Sequence, residues 1–315
     1  MNRVPSLDDI RSAHLRILPY INRTPVLTSG QLNRIYGCSL FFKCENFQKT
    51  GSFKFRGAVN AVLQLNEEQK KGGVVTHSSG NHAAALSLAA RMNGIGAYIV
   101  MPETSPDVKK KAVAGYGAGI TFCKPGQAQR EAACRELMNE KKATLIHPYD
   151  NFNVICGQGT ASLELLEEVK DLDVVVAPVG GGGLLGGTSC CVKGTDGRIR
   201  VLGAEPVNAN DAWKSFKTGK LTPSVNPLTI ADGLLTSLSE LTFNIIRNHS
   251  DDIITVSEKS IIESMKLIWE RMKIIAEPSS ATVLAAVGEN PGQFRGKRIG
   301  LIISGGNVDL TRLPF

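Results

Sequence analysis

Short apolar runs rich in Val, Ile, Leu and Phe recur along the chain. Longer stretches with helical spacing separate them. Segments 40–45, 74–76, 97–101, 120–123, 145–146, 174–178, 200–204, 253–256 and 299–303 read as strands, several of them apolar on both faces. Between them, sets such as Ala58, Ala61, Val62 and Leu65 fall on one helical face. Ser6 with Asp9 is an aspartate variant of the capping box and starts the first helix. Strand and helix alternate from end to end, which predicts an α/β fold with open, twisted, largely parallel sheets and flanking helices. No repeat, low-complexity tract or long linker marks a boundary.

Bulk properties narrow the picture only a little. A length of 315 residues allows one large domain or two, and 42% hydrophobic residues can fill a core. The longest apolar runs fall far short of the roughly 18 residues that suggest a membrane span. Asp8, Asp9 and Arg11 break any signal-peptide pattern. The seven cysteines are odd in number, contain no CxxC pair, and include Cys190-Cys191 inside a predicted helix. Reduced thiols and a cytoplasmic location are the simpler expectation. The net charge of +7 is spread, apart from Lys109-Lys110-Lys111, with no aromatic-interleaved basic stripe, so no nucleic-acid partner is expected. Anionic small ligands are a modest account of the charge.

The candidate chemistry sits where strands end. Gly51-Ser52-Phe53-Lys54-Phe55-Arg56-Gly57-Ala58 puts one lysine on a tight turn between a strand and a helix. A lysine flanked by phenylalanines there is partly desolvated, which lowers its pKa and makes the amine a better nucleophile toward a carbonyl. A lysine at a helix start can equally well snorkel to solvent. Val179 is followed by Gly180, Gly181, Gly182 and Gly183, after a β-branched strand and before a helix expected over 184–193. Consecutive glycine N–H groups at a helix N-terminus suit a monophosphate. The stretch lacks the lysine of a P-loop and the spacing of GxGxxG, which argues against a nicotinamide dehydrogenase. Ser78-Ser79-Gly80-Asn81-His82 opens a helix after strand 74–76 and offers hydroxyl, amide and backbone donors to a carboxylate, or simply an N-cap. Ser304-Gly305-Gly306-Asn307 is a further strand-end glycine loop.

Together these stretches resemble the fold-type-II pyridoxal-5'-phosphate (PLP) enzymes, with a tryptophan synthase β-like fold. The resemblance runs from Thr24-Pro25-Val26-Leu27 to Asn307-Val308-Asp309-Leu310. Within the serine/threonine dehydratase family the chain looks most like the eukaryotic serine racemases, through segments such as Phe47-Gln48-Lys49-Thr50-Gly51-Ser52-Phe53-Lys54, Gly157-Gln158-Gly159-Thr160 and Trp269-Glu270-Arg271-Met272-Lys273. It implies a large domain of residues 1–72 and 150–315 with a small domain, 73–149, inserted, and the cofactor between them. It also implies that Lys54 holds the cofactor and acts as base on one face of the substrate Cα. Gly180 to Gly183 would hold the phosphate, Phe53 would pack on the ring, Asn81 would bond its 3'-oxygen and Ser304 would face the pyridine nitrogen. Ser78, Ser79, Asn81 and His82 would bind substrate. Racemisation needs a second acid–base group on the opposite face, and the resemblance gives that role to Ser79, where dehydratases of this fold typically carry alanine.

Glu205, the Ala209 carbonyl and Asp211 match the family's divalent-cation site, and oxygen ligands completed by water suit Mg²⁺, Ca²⁺ or Mn²⁺. Arg271 and Lys273 match basic residues of a region that binds ATP between subunits of animal racemases. The expected activity is serine racemisation with α,β-elimination of serine to pyruvate and ammonia, in a homodimer. His147-Pro148-Tyr149-Asp150 departs from many animal racemases, which have asparagine after the proline. That keeps a threonine or 3-hydroxyaspartate dehydratase as the alternative. A non-catalytic ligand-binding protein on the same scaffold is disfavoured by the presence of Lys54, Ser79 and Ser304.

Overall fold

The computed structural model describes residues 3–78, 80–105 and 107–315, so Ser79 lies outside the described residues. Among the described residues there are ten strands: β1 (Val26–Leu27), β2 (Ser39–Cys44), β3 (Val74–Thr76), β4 (Ala97–Pro102), β5 (Gly119–Cys123), β6 (Thr144–Leu145), β7 (Val174–Pro178), β8 (Arg200–Pro206), β9 (Asp252–Val256) and β10 (Arg298–Ile303). They form a sheet of order β1-β2-β10-β7-β8-β9 and another of order β5-β4-β3-β6. Every pairing is parallel except β1 on β2. β1 is the strand the sequence pattern does not announce: two residues at an antiparallel edge leave no apolar run to read.

Parallel strands buried on both faces explain the unbroken apolar runs. In β7, Val175 and Ala177 join one core with the helices Phe152–Glu168, Gly183–Thr195 and Glu240–His249. Val174 and Val176 join the opposite core with Glu258–Met272 and Pro278–Glu289. The smaller sheet repeats the arrangement, with Val74, Ile99 and Met101 on one side and Val75 and Val100 on the other. All seven cysteines are free and buried. The capping box of Ser6 and Asp9 forms as expected, with Asp9 N donating to Ser6 Oγ at 3.2 Å and Ser6 N to Asp9 Oδ2 at 2.9 Å.

Helix Lys54–Leu63, which carries the lysine at its first turn, is seated in two ways. It crosses helix Phe152–Glu168 backbone to backbone: a Cβ on Gly157 would lie 2.5 Å from the Arg56 carbonyl oxygen, and one on Gly57 2.7 Å from that of Val154. No other residue fits such a crossing. Beneath it lies a buried ionic cluster. The Arg56 guanidinium donates to both oxygens of Glu45, at 2.7 and 2.8 Å, and to both of Glu164, at 2.8 Å each. Lys43 Nζ reaches Glu164 Oε2 and the Thr24 carbonyl, both at 2.6 Å. Lys43, Glu45, Arg56 and Glu164 are fully buried, and their two positive and two negative charges cancel. The neutral, hydrogen-bonded set avoids the cost of an unpaired charge in the core.

Candidate active site

Loops from neighbouring strand ends converge on one cavity of about 520 Å³. The lysine loop follows β2, the loop of Ser304 follows β10 and the glycine loop follows β7, which are adjacent strands of the larger sheet. Loops after β3 and β6 close the cavity from the smaller sheet. Ligand sites of open parallel sheets form at such carboxyl ends.

Lys54 lines this cavity. Its Nζ donates to the Pro148 carbonyl at 3.1 Å and lies 5.0 Å from the Phe53 ring centroid. Burial of the amine draws its pKa down to about 8, with Glu277 pulling the other way. A substantial neutral fraction near neutrality is what a nucleophilic amine needs. Phe53 N donates to the Ser304 carbonyl at 2.9 Å, which ties the lysine turn to the terminal glycine loop. Ser304 is buried, and its Oγ pairs with Ser280 Oγ at 3.0 Å.

The glycine loop is a cradle that side chains would fill. Gly182 has φ of +85°, and a Cβ on Gly181 would lie 2.2 Å from the Tyr149 ring. Helix Gly183–Thr195 begins there, slightly longer at both ends than the spacing suggests. Its N-terminal N–H groups have no partners within the helix, so the cradle can take a phosphate.

Asn81 opens helix Asn81–Met92 and sits against a carboxylate that the sequence did not single out. Its Nδ2 donates to Glu277 at 3.0 and 3.2 Å, and its Oδ1 accepts from Asn307 Nδ2 at 2.9 Å. Burial pushes the Glu277 carboxyl up to about 7, against the lowering effect of Asn81. His82 Nε2 meets the Ile146 carbonyl at 2.9 Å, so that nitrogen carries the proton, and burial holds the ring near 3, neutral at physiological pH. Burial likewise takes His147 to about 4 and Tyr149 to about 12. Ser78 also lines the cavity.

Glu205 lies at the end of β8 and Asp211 at the start of helix Asp211–Thr218, with the turn Val207–Ala209 between them. Glu205 accepts from the backbone N–H of Ala212 at 2.9 Å and of Trp213 at 2.8 Å, whereas neither oxygen of buried Asp211 has a partner within hydrogen-bonding geometry. Burial pushes Glu205 to about 8 and Asp211 to about 6. Two buried acids with no ion-pair contact among the described residues, and only Lys214 acting on them from a distance, fit a hard divalent ion. Among the described residues no cluster of three or more His, Cys, Asp or Glu side chains could hold a metal, so carbonyl and water ligands would have to complete the shell. Arg271 closes helix Glu258–Met272 and Lys273 caps it. Neither lines the cavity that holds Lys54 or the neighbouring cavity of about 710 Å³.

A half-buried lysine with a lowered pKa, lining one cavity together with a strand-end glycine loop that could take a phosphate, fits an enzyme that holds an aldehyde cofactor through an imine. Residues 17–305 match the family model "Pyridoxal-phosphate dependent enzyme", and the chain belongs to that family. It is 51% identical to a serine racemase of Dictyostelium discoideum, over 98% of this chain and 96% of that protein. It is 48% identical to a β-hydroxyaspartate dehydratase of Paracoccus denitrificans, over 99% of each. The crystal structure of the Dictyostelium serine racemase superposes with a TM-score of 0.93 at 52% identity, over 97% of this chain and 99% of that one.

Proposed function

We propose that this chain interconverts L- and D-serine and also eliminates water from serine, the enamine released then taking up water to give pyruvate and ammonia. The observation that carries the proposal is Lys54, its amine lowered to about 8, in one cavity with Gly180 to Gly183. The Dictyostelium racemase, in sequence and in structure, and the Paracoccus dehydratase support the reaction class. PLP, when bound, supplies an electron sink that acidifies the substrate α-hydrogen. Lys54 takes or returns that proton on one face. Ser79 does so on the other, and Ser78, Ser79, Asn81 and His82 bind substrate; Phe53 would pack on the cofactor ring, Asn81 would bond its 3'-oxygen and Ser304 would face its pyridine nitrogen. Elimination from L-serine requires Lys54 alone as base, whereas racemisation requires both faces.

The experiment follows from that asymmetry. Borohydride reduction of the PLP-loaded protein should fix PLP on Lys54, as seen by peptide mapping. Ser79→Ala should remove racemisation and D-serine elimination while much of the pyruvate production from L-serine persists. Unchanged racemisation would sink the role of Ser79. A 3-hydroxyaspartate dehydratase is the second reading, favoured by the Paracoccus relative and by Lys109 and Arg130, two cations lining the cavity that could meet a second substrate carboxylate. A parent that makes no D-serine but dehydrates 3-hydroxyaspartate would decide for it.

Finer parts of the proposal rest mainly on resemblance. Residues 73–149 form the small domain between 1–72 and 150–315, in accord with the sheet β5-β4-β3-β6 drawn from that span. Mg²⁺, or Ca²⁺ or Mn²⁺, is held by Glu205, the Ala209 carbonyl and Asp211. ATP is an effector contacted by Arg271 and Lys273, the protein works as a homodimer, and its place is the cytoplasm.

A further inference from the structure

Asn307 makes three hydrogen bonds that together join the terminal glycine loop to the lysine loop, to the start of helix Asn81–Met92 and to Glu277. Its backbone N donates to Glu277 Oε2 at 3.1 Å, and its Nδ2 donates to the Thr50 carbonyl at 2.8 Å and to Asn81 Oδ1 at 2.9 Å. Asn81 closes the ring by donating to Glu277. An amide side chain can turn over, exchanging its oxygen and nitrogen at little cost, unless its partners forbid it. A backbone carbonyl cannot turn over and cannot donate. Thr50 therefore dictates that Asn307 present its NH₂ group on that side. The same NH₂ group, facing Asn81, requires an acceptor, so Asn81 must present Oδ1 to it. The Asn81 nitrogen is left on the side of Glu277 and the cavity.

We propose that Asn307 is a positioning residue for the reaction: anchored on the Thr50 carbonyl, it fixes the polarity of the Asn81 amide so that an Asn81 N–H is kept available to the cofactor. The inference rests on the PLP reading of the site. Glu277 alone is a weaker guarantor, because a carboxyl that gains a proton can face either end of an amide. Thr50 keeps one polarity in either state. Thr50 itself has φ of +60°, and the turn holding it is further secured by Gly306 N donating to the Gly51 carbonyl at 3.0 Å. The anchor is thus part of the segment that delivers Lys54.

A double-mutant cycle on Asn81 and Asn307 tests this, read as the equilibrium affinity of the apoprotein for PLP by dialysis. Asn307→Ala should weaken PLP roughly fivefold, the loss expected for one well-placed hydrogen bond. In an Asn81→Ala background the same change should cost less than about twofold, because the residue it acts through is gone. Equal factors in both backgrounds, or no weakening in either, would overturn the role. Should Asn307→Ala lower the apoprotein melting temperature, the same-sized Asn307→Asp answers instead. A carboxylate cannot donate to Thr50, so PLP affinity should fall at least as far as in the alanine variant, and parent-like affinity would refute the mechanism. Borohydride trapping on Lys54 in the parent separates the two failures. If the parent traps PLP and the cycle is additive, only Asn307 is misassigned. If the parent traps none, the PLP reading itself fails.

Discussion

Replacing Arg56 by methionine should be among the most damaging single changes in this chain away from the cavity lining. The side chain is fully buried and its guanidinium holds two carboxylates in paired forks. Removing it leaves Glu45 and Glu164 with Lys43 and with the His14 ring, 3.8 Å from Glu164, which burial disfavours as a cation; with that ring neutral the cluster goes from neutral to a net charge of −1. Breaking a buried ion pair from one side costs about 3–5 kcal/mol, because the surviving charge stays in a poor solvent. At about 2 °C per kcal/mol for a chain of this length, the melting temperature should fall by about 6–10 °C. Arg56→Lys keeps the charge but loses the planar fork, and about 1–2 kcal/mol is expected. Adding Glu45→Gln to Arg56→Met restores neutrality and should recover about half of the loss. Denaturant unfolding of the four apoproteins, followed by circular dichroism, gives the comparison. An Arg56→Met variant within about 1 kcal/mol of the parent, or a double variant less stable than the single one, would refute charge balance as the reason for the cluster.

The Lys54 amine should be acetylated, in competitive labelling of the apoprotein read by peptide mass spectrometry, with a midpoint near pH 8. Because the neutral form is the reactive one, labelling rises as pH rises through that value; a midpoint near the ordinary 10.5 would contradict the desolvated site. Chelation should lower the melting temperature and Mg²⁺ should restore it, by an amount that grows with the logarithm of its concentration. The Glu205→Ala, Asp211→Ala double variant should lose that response, and a parent indifferent to chelator would reduce the pair to buried acids without a cation.

Much of this was legible in the sequence, for local reasons. Two-sided burial writes a parallel strand as an apolar run, and a strand-end glycine run leaves little choice of structure. So Lys54, Gly180 to Gly183 and Ser304 could be found one segment at a time. Glu277 could not. It is a single acid before Pro278 at a helix start, and its side chain makes no capping hydrogen bond there. Its meaning comes from Asn81, 196 positions away. Arg56 was visible as part of the lysine motif, but its partners Glu45 and Glu164 are charged residues like any others until the fold buries them together. Strand β1 leaves no mark in the pattern, because two residues carry no period.

The buried thiols turn the chain into its own unfolding recorder. Burial raises the pKa of every cysteine, to about 11 for Cys38 and Cys134 and about 12 for Cys44, Cys156, Cys190 and Cys191, so the folded protein offers almost no thiolate to an alkylating reagent. Each sulfur becomes reactive only when the layer around it opens. Cys123 and Cys134 sit in the core of the smaller sheet, Cys190 and Cys191 in one core of the larger sheet, Cys38 and Cys44 in the other, and Cys156 is buried on helix Phe152–Glu168. The order in which the peptides take up label would therefore date the opening of each layer separately, with no probe added to the chain.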